Sequence, residues 1–164
     1  SSVFTIIDLR YPNMLQSFGL IRSNLLHEII YKRPSYYAVQ HMAGFFDNTV
    51  TASGELEYVS SAYRQLTVAG FEQKGAPIAL VWYKDRIPDN ELKWEQISLT
   101  IKKMNFKDPV YVEMISGKVY EIDPADWENT GSDVTFQHLP VWDSVMMLAE
   151  RSSVPLKTGK LIKE

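Results

Sequence analysis

Two hydrophobic rhythms divide this chain at about residue 50. Ahead of it, Ser2 to Leu9 (S-V-F-T-I-I-D-L) is β-branched, nearly continuous in apolar residues and bounded by turn formers, which predicts a short buried strand. Arg10 to Gly19 reads as a loop, with Pro12-Asn13 as its turn signal. Leu20 to Lys32 supports two readings. Ile21, Leu25 and Ile29 keep helical spacing, with Leu26 and Ile30 beside them, yet Ile29-Ile30-Tyr31 suits an extended segment equally. Pro34-Ser35 then opens a helix, because proline fits a first helical turn and disfavours helix in the residue before it. Tyr36, Val39, Met42, Ala43 and Phe46 are expected on its apolar face, and Asp47-Asn48 ends it.

Beyond residue 50 the period becomes two. Ile97, Leu99 and Ile101 alternate with Gln96, Ser98, Thr100 and Lys102, the pattern of a strand with one dry face. Val110 to Ile115 and Lys118 to Ile122 flank Ser116-Gly117, a short hairpin signal. Val134 and Phe136 alternate with Thr135 and Gln137. Leu66 to Glu72, Ile78 to Tyr83 and Val141 to Ala149 complete the predicted strands. Turn-forming clusters separate them at 85–90, 105–109, 123–126 and 129–132. The expectation is a β-rich α+β chain: an antiparallel β-sandwich of about seven to nine strands, preceded by a strand, a loop and a helix.

Composition narrows the functional classes. A chain of 164 residues can bury about 70% of the surface its unfolded form exposes. Its 45% hydrophobic and 23% charged content excludes disorder and a fibrous repeat. The longest apolar run, Ile78 to Tyr83, is too short to cross a bilayer, and no signal-peptide pattern opens the chain. No compartment follows from this. A net charge of −3 gives no electrostatic reason to expect nucleic acid or an anionic membrane as partner. The absence of cysteine excludes disulfides, thiolate metal sites and a Cys nucleophile. Aromatic residues reach 12%, including four Trp, which suits either an aromatic core or stacking platforms for sugars.

Candidate chemistry is sparse. Gly-rich phosphate loops and a G-x-S-x-G elbow are absent. His27, His41 and His138 lack metal-ligand spacing, so no metal and no cofactor are expected. Carboxylates could serve glycoside hydrolysis, which needs two of them flanking the bond. Asn90-Glu91 superficially matches the Asn-Glu pair of barrel glycosidases, but it follows the turn Ile87-Pro88-Asp89 and reads as solvated. Glu55 and Glu57 flank Leu56 as an exposed strand face, and Asp123 and Asp126 are placed to cap the turn before Trp127. Among the tryptophans, Trp82 is expected in the core. Trp127 in a loop-like stretch and Trp142 out of phase with Val141 are the sugar-stacking candidates, against the plainer reading that both simply pack.

Three stretches carry a resemblance: Val3 to Arg10, Phe18-Gly-Leu-Ile-Arg22, and Tyr31-Lys-Arg-Pro-Ser-Tyr-Tyr-Ala38. Together they resemble the closing segment of (β/α)8-barrel glycoside hydrolases, where the last barrel strand leads through a loop into a K-P-x-Y-Y-A helix. The later strands look like the small β-sandwich appended to many such enzymes. The resemblance implies a last barrel unit over residues 1–49, a sandwich over 50–152 and a peripheral tail over 153–164. It places Pro34, Tyr36 and Tyr37 in a structural helix motif. It also puts the catalytic glutamates before residue 1, so no catalytic residue transfers and the chain alone is expected to be inactive. The implied role is to stabilise or pack against a barrel domain, with self-association through residues 1–48 where that partner is missing. A carbohydrate-binding module using exposed Trp or Tyr is the alternative, and a small stand-alone glycosidase the second.

Overall fold

The computed structural model describes residues 5–12, 14–84, 93–154 and 158–160. The chain begins with two short hairpins. β1 (Leu9–Tyr11) pairs with β2 (Met14–Gln16), so the Pro12-Asn13 signal falls between two paired strands. β3 (Ile21–Ser23) pairs with β4 (Ile29–Lys32), which decides for the extended reading of this stretch. The buried strand expected over residues 2–9 is corrected where it is described. Residues 5–8 make one parallel bridge, Ile7 to Ile21, and Ile6 is 63% exposed. Asp8 is the residue that this segment buries. A strand paired along one edge leaves its other groups to solvent, and Ile6 and Ile7 follow them.

Arg33 adopts an extended conformation ahead of α1 (Pro34–Phe45), and Pro34 takes the first helical turn. The expected inner face is also corrected. Val39, Met42 and Ala43 are exposed, Tyr36 is half-buried, and Phe45 is the residue that the helix buries. The helix is seated by its C-terminal end. There Phe45 enters the core, Phe46 meets Phe71 edge-on at 5.0 Å, and the His41 ring lies 3.0 Å from the Met114 carbonyl through Nδ1. Periodicity names the apolar positions of a helix, but the neighbouring sheet selects which of them it covers.

The remaining chain folds into two sheets. In sequence they use β5 (Val50–Glu55), β6 (Tyr58–Ser60), β7 (Leu66–Gln73), β8 (Ala76–Tyr83), β9 (Glu95–Ile101), β10 (Pro109–Glu113), β11 (Lys118–Glu121), β12 (Trp127–Thr130), β13 (Asp133–Val141), β14 (Met146–Glu150) and β15 (Thr158–Lys160). Seven strands run in the order β15-β11-β10-β14-β8-β7-β5, and four in the order β12-β13-β9-β6. The three-residue strands β6 and β15 bring the number above the seven to nine expected. β15 falls in the stretch expected as a tail and pairs parallel with β11. The single strand expected over 141–149 is two strands on different sheets, because the chain turns at Trp142–Val145 to change layer.

The two sheets enclose the main core, in which Leu66, Val68 and Val81 meet Ile97, Leu99, Val134 and Phe136. Phe106 and Phe136 pack edge-on there, with ring centroids 5.8 Å apart. A second core lies on the far side of the seven-stranded sheet, where Ile78, Leu80, Val110, Val112 and Met147 receive Phe45 of α1. β8, β10 and β14 are therefore covered on both faces. This explains why their sequences are nearly continuous in apolar residues while β9, with one dry face, alternates.

Turn chemistry agrees with the pairing. Lys74 and Gly75 join β7 to β8 as a two-residue loop with both φ positive, at 52° and 82°, the geometry of a type I′ hairpin. Gly117 (φ 70°) closes the four-residue loop between β10 and β11 and donates its N–H to the Glu113 carbonyl at 2.8 Å. Among the described residues, no helix is long and apolar enough to cross a membrane.

Candidate functional site

A cleft of about 340 Å³ opens beside the edge strand β12, lined by Pro124, Ala125, Trp127, Glu128, Thr135 and Gln137. Its floor is set by strand register. Trp127, expected in a loop-like stretch, instead opens β12 opposite Phe136, so its half-buried indole packs on the main core, and the residue borders the cleft. Glu128 lies opposite Thr135, on the other face of the strand pair. The Thr135 hydroxyl shares a hydrogen bond with Thr100 at 3.0 Å, which fixes its rotamer. The Glu128 carboxylate and the Gln137 amide are exposed and make no hydrogen bond among the described residues.

The wall beside Trp127 is built by a 3₁₀ turn, Pro124–Asp126. The Asp123 carboxylate accepts from the Ala125 N–H at 2.9 Å, which caps that turn. Asp126 is buried, and its Oδ1 lies 3.1 Å from His138 Nδ1. His138 occupies the left-handed region (φ 54°) at a bulge where β13 carries one extra residue between Phe136 and Leu139. Burial along β13 alternates through the exposed Gln137 and breaks at His138. The cleft thus brings a hydroxyl, an amide and a carboxylate together on one sheet edge, a set that can hydrogen-bond a polar ligand.

The other sequence candidates are placed differently. Trp142, expected on an outer face, is half-buried against the main core, and its buried Nε1 has no hydrogen-bond partner among the described residues. It leaves β13 where the chain changes sheet, and it covers the end of the core. Trp82 packs against the second core, and Trp94 is exposed. Pro34 lies at the start of α1. Tyr36 and Tyr37 meet edge-on at 5.5 Å, the Lys32 ammonium sits 4.6 Å from the Tyr36 ring centroid, and Tyr37 is 43% exposed. Asn90 and Glu91 lie outside the described residues. Glu55 and Glu57 are exposed, and the described residues include no cluster of His, Cys, Asp or Glu that could hold a metal ion.

Two adjoining grooves near the β7–β8 turn, of about 550 and 470 Å³, share Lys74, Ala76 and Ser152. Several of their polar groups are already used by the fold. Asn129 brackets Phe106, donating to its carbonyl at 2.6 Å and accepting from its N–H at 3.2 Å. Glu150 is buried and accepts from the N–H groups of Lys107 (2.5 Å) and Asp108 (3.0 Å).

One polar constellation is invisible to motif searching. Asp8 is buried and held bidentately by Arg33, at 2.9 Å and 3.1 Å, with Arg22 at 3.4 Å and the Gly19 N–H donating at 3.1 Å. These bonds, led by that from Arg33, hold its carboxyl well below the usual range, down to about 2. Position 19 admits only glycine, because a Cβ there would run into the backbone of Ile7 and Asp8. The signal in the sequence is a lone carboxylate inside an apolar run, Ile6-Ile7-Asp8-Leu9, which demands a buried cation.

No protein-family model matches the chain, and no curated protein matches it. Among solved structures, the chain is similar to alpha-L-fucosidase isoenzyme 2 from Paenibacillus thiaminolyticus, with 13% sequence identity and a TM-score of 0.40. The match covers 57% of this chain and 15% of that enzyme.

Proposed function

We propose that the chain is the non-catalytic C-terminal portion of a carbohydrate-active enzyme, a β-sandwich that packs beside a (β/α)8 barrel and stabilises it. In this reading residues 1–49 supply the last barrel unit and 50–152 the body of the sandwich, to which β15 adds an edge strand. The observation that carries it is β4. All four of its residues are exposed, on both faces of the strand, and its single described partner strand is β3. Ile29, Ile30 and Tyr31 lie there in solvent, next to exposed Leu25 and Leu26 in the connecting turn. Monomers rarely leave a contiguous apolar patch of more than a few hundred Å² uncovered. A strand with two dry-type faces and an open edge is what a barrel would complete. The helix motif over 33–39 points the same way.

The chain alone tests this reading. It should self-associate through the open edge, giving a concentration-dependent mass in sedimentation equilibrium that Ile30→Lys reduces to the monomer. A strict monomer across a hundredfold range of concentration, with residues 5–9 protected from hydrogen exchange, overturns it.

A further inference from the structure

We propose that the outer face of the β6–β9 corner binds a neutral oligosaccharide chain through Tyr63 and Trp94. Register and burial place the side chains of this corner on one surface. From Tyr58 onward exposure alternates: Tyr58 and Ala62 pack on the main core, while Val59, Ser61 and Tyr63 are exposed. β9 and the residue before it follow the same rule. Ile97, Leu99 and Ile101 are buried, Trp94 and Gln96 are exposed, and Ser98 is half-buried. The two rows adjoin. Val59 lies opposite Thr100, the Ser61 N–H donates to the Ser98 carbonyl at 3.0 Å, and the Ser98 N–H donates to Ser61 Oγ at 2.8 Å. Tyr63 is 88% exposed and Trp94 47%. Beyond residue 50 the exposed large apolar side chains among the described residues are Val59, Tyr63, Trp94 and Ile115, and the first three stand at this one corner.

The chemistry of the corner selects the ligand. Exposed aromatic side chains set among hydroxyl and amide groups match a sugar, which presents apolar C–H faces rimmed by hydroxyls. Gln96 makes no hydrogen bond among the described residues, and its amide can both donate and accept. Val59, Ser61, Tyr63, Trp94, Gln96 and Ser98 are all uncharged, so an ionic ligand finds no counter-charge among them. Serine and glutamine also interrupt the patch, which leaves it without the continuous apolar core of a protein interface. From Ser98 to Trp94 runs about 13 Å of extended chain, a length that suits several linked sugars over a single ring. The layer order keeps the surface free. α1 packs on the far side of the seven-stranded sheet, so the outer face of the four-stranded sheet turns away from the surface proposed to meet a barrel.

The test follows the indole N–H resonances of the full chain by NMR, with the Trp94 signal assigned from Trp94→Phe. Cellohexaose, xylohexaose, mannohexaose and laminarihexaose are the probes, and hexagalacturonic acid is the charged control. A neutral hexasaccharide should shift the Trp94 resonance saturably while leaving Trp82, on the second core, unmoved. Tyr63→Ala removes an exposed ring and should keep the fold, yet weaken binding about tenfold, equivalent to ~1.4 kcal/mol. Gln96→Ala should weaken it about threefold. Ile30→Lys, which addresses the barrel-packing surface, should leave sugar binding unchanged, so the two readings fail separately. Four results overturn the proposal: no shift with any neutral hexasaccharide, a shift that Tyr63→Ala leaves unaltered, preferential binding of the galacturonate, or a fall in sedimentation mass on Tyr63→Ala. The last would make the corner a contact between copies of the chain.

Discussion

Arg33 grips Asp8 with both terminal nitrogens of its guanidinium, across a sequence separation of 25 residues. The pair joins the first described segment of the chain to the residue that launches the helix. Because the folded-state pKa of Asp8 is depressed to about 2, the pair contributes fully above the ordinary carboxylate pKa. Its contribution is lost as pH falls from about 4 towards 2. Asp8→Asn should flatten stability across that window in urea titrations at stepped pH. At neutral pH it should cost about 3 kcal/mol, because Arg33 is left largely buried without its partner. An unchanged acid profile would remove Asp8 from the list of structural ions.

Tyr58 ties the two sheets together at one corner. Its hydroxyl donates to the Leu66 carbonyl at 2.6 Å and accepts from the Leu66 N–H at 3.0 Å. Tyr58→Phe keeps the ring and strands both backbone groups, at a cost of about 2 kcal/mol. For a chain of this size the melting temperature should fall by roughly 4–8 °C, measured by calorimetry.

Gly117 sits under the His41 ring at a positive φ of 70°, and a Cβ there would collide with the imidazole. Gly117→Ala should therefore loosen α1 from the second core. The backbone alone costs about 1–2 kcal/mol in this conformation. Adding His41→Ala should recover the steric part and leave the backbone part. Amide exchange along 38–46 gives the readout.

The chain as it stands should hydrolyse no aryl glycoside. Any turnover that disappears in Glu91→Gln would make that residue catalytic and end the accessory reading. A panel of nitrophenyl glycosides decides the matter.

Much of the sandwich was legible because one-sided burial writes itself as alternation. Ile97, Leu99 and Ile101 announce β9 and its dry face. The start of α1 was equally clear, since Pro34 is a local signal. Its buried face was not, because Phe45 is chosen by a sheet whose contacting residues run as far as Ala149, 104 positions along the chain. The tryptophans divide the same way. Trp127 read as an exposed ring in a loop, but register between β12 and β13 puts it in a strand and half-buried against the core. Trp142 looked outward by phase, yet the phase ends where β13 ends. Asp8 and Arg33 were unreadable as a pair, since nothing local links residues so far apart.

β8 carries a consequence for how the fold finds itself. Ile78, Ala79, Leu80 and Val81 are buried in succession, so sliding this strand by one position would exchange one apolar residue for another on each face. Hydrophobic pattern, which polices alignment in a half-wet strand, is silent here. The decision passes to the Lys74–Gly75 tip, whose two left-handed residues permit one alignment of β7 against β8. The most solvent-facing part of the hairpin thereby dictates the arrangement of its driest part. Gly75→Val, a change that touches no core atom, should scramble the interior more than many a core truncation would.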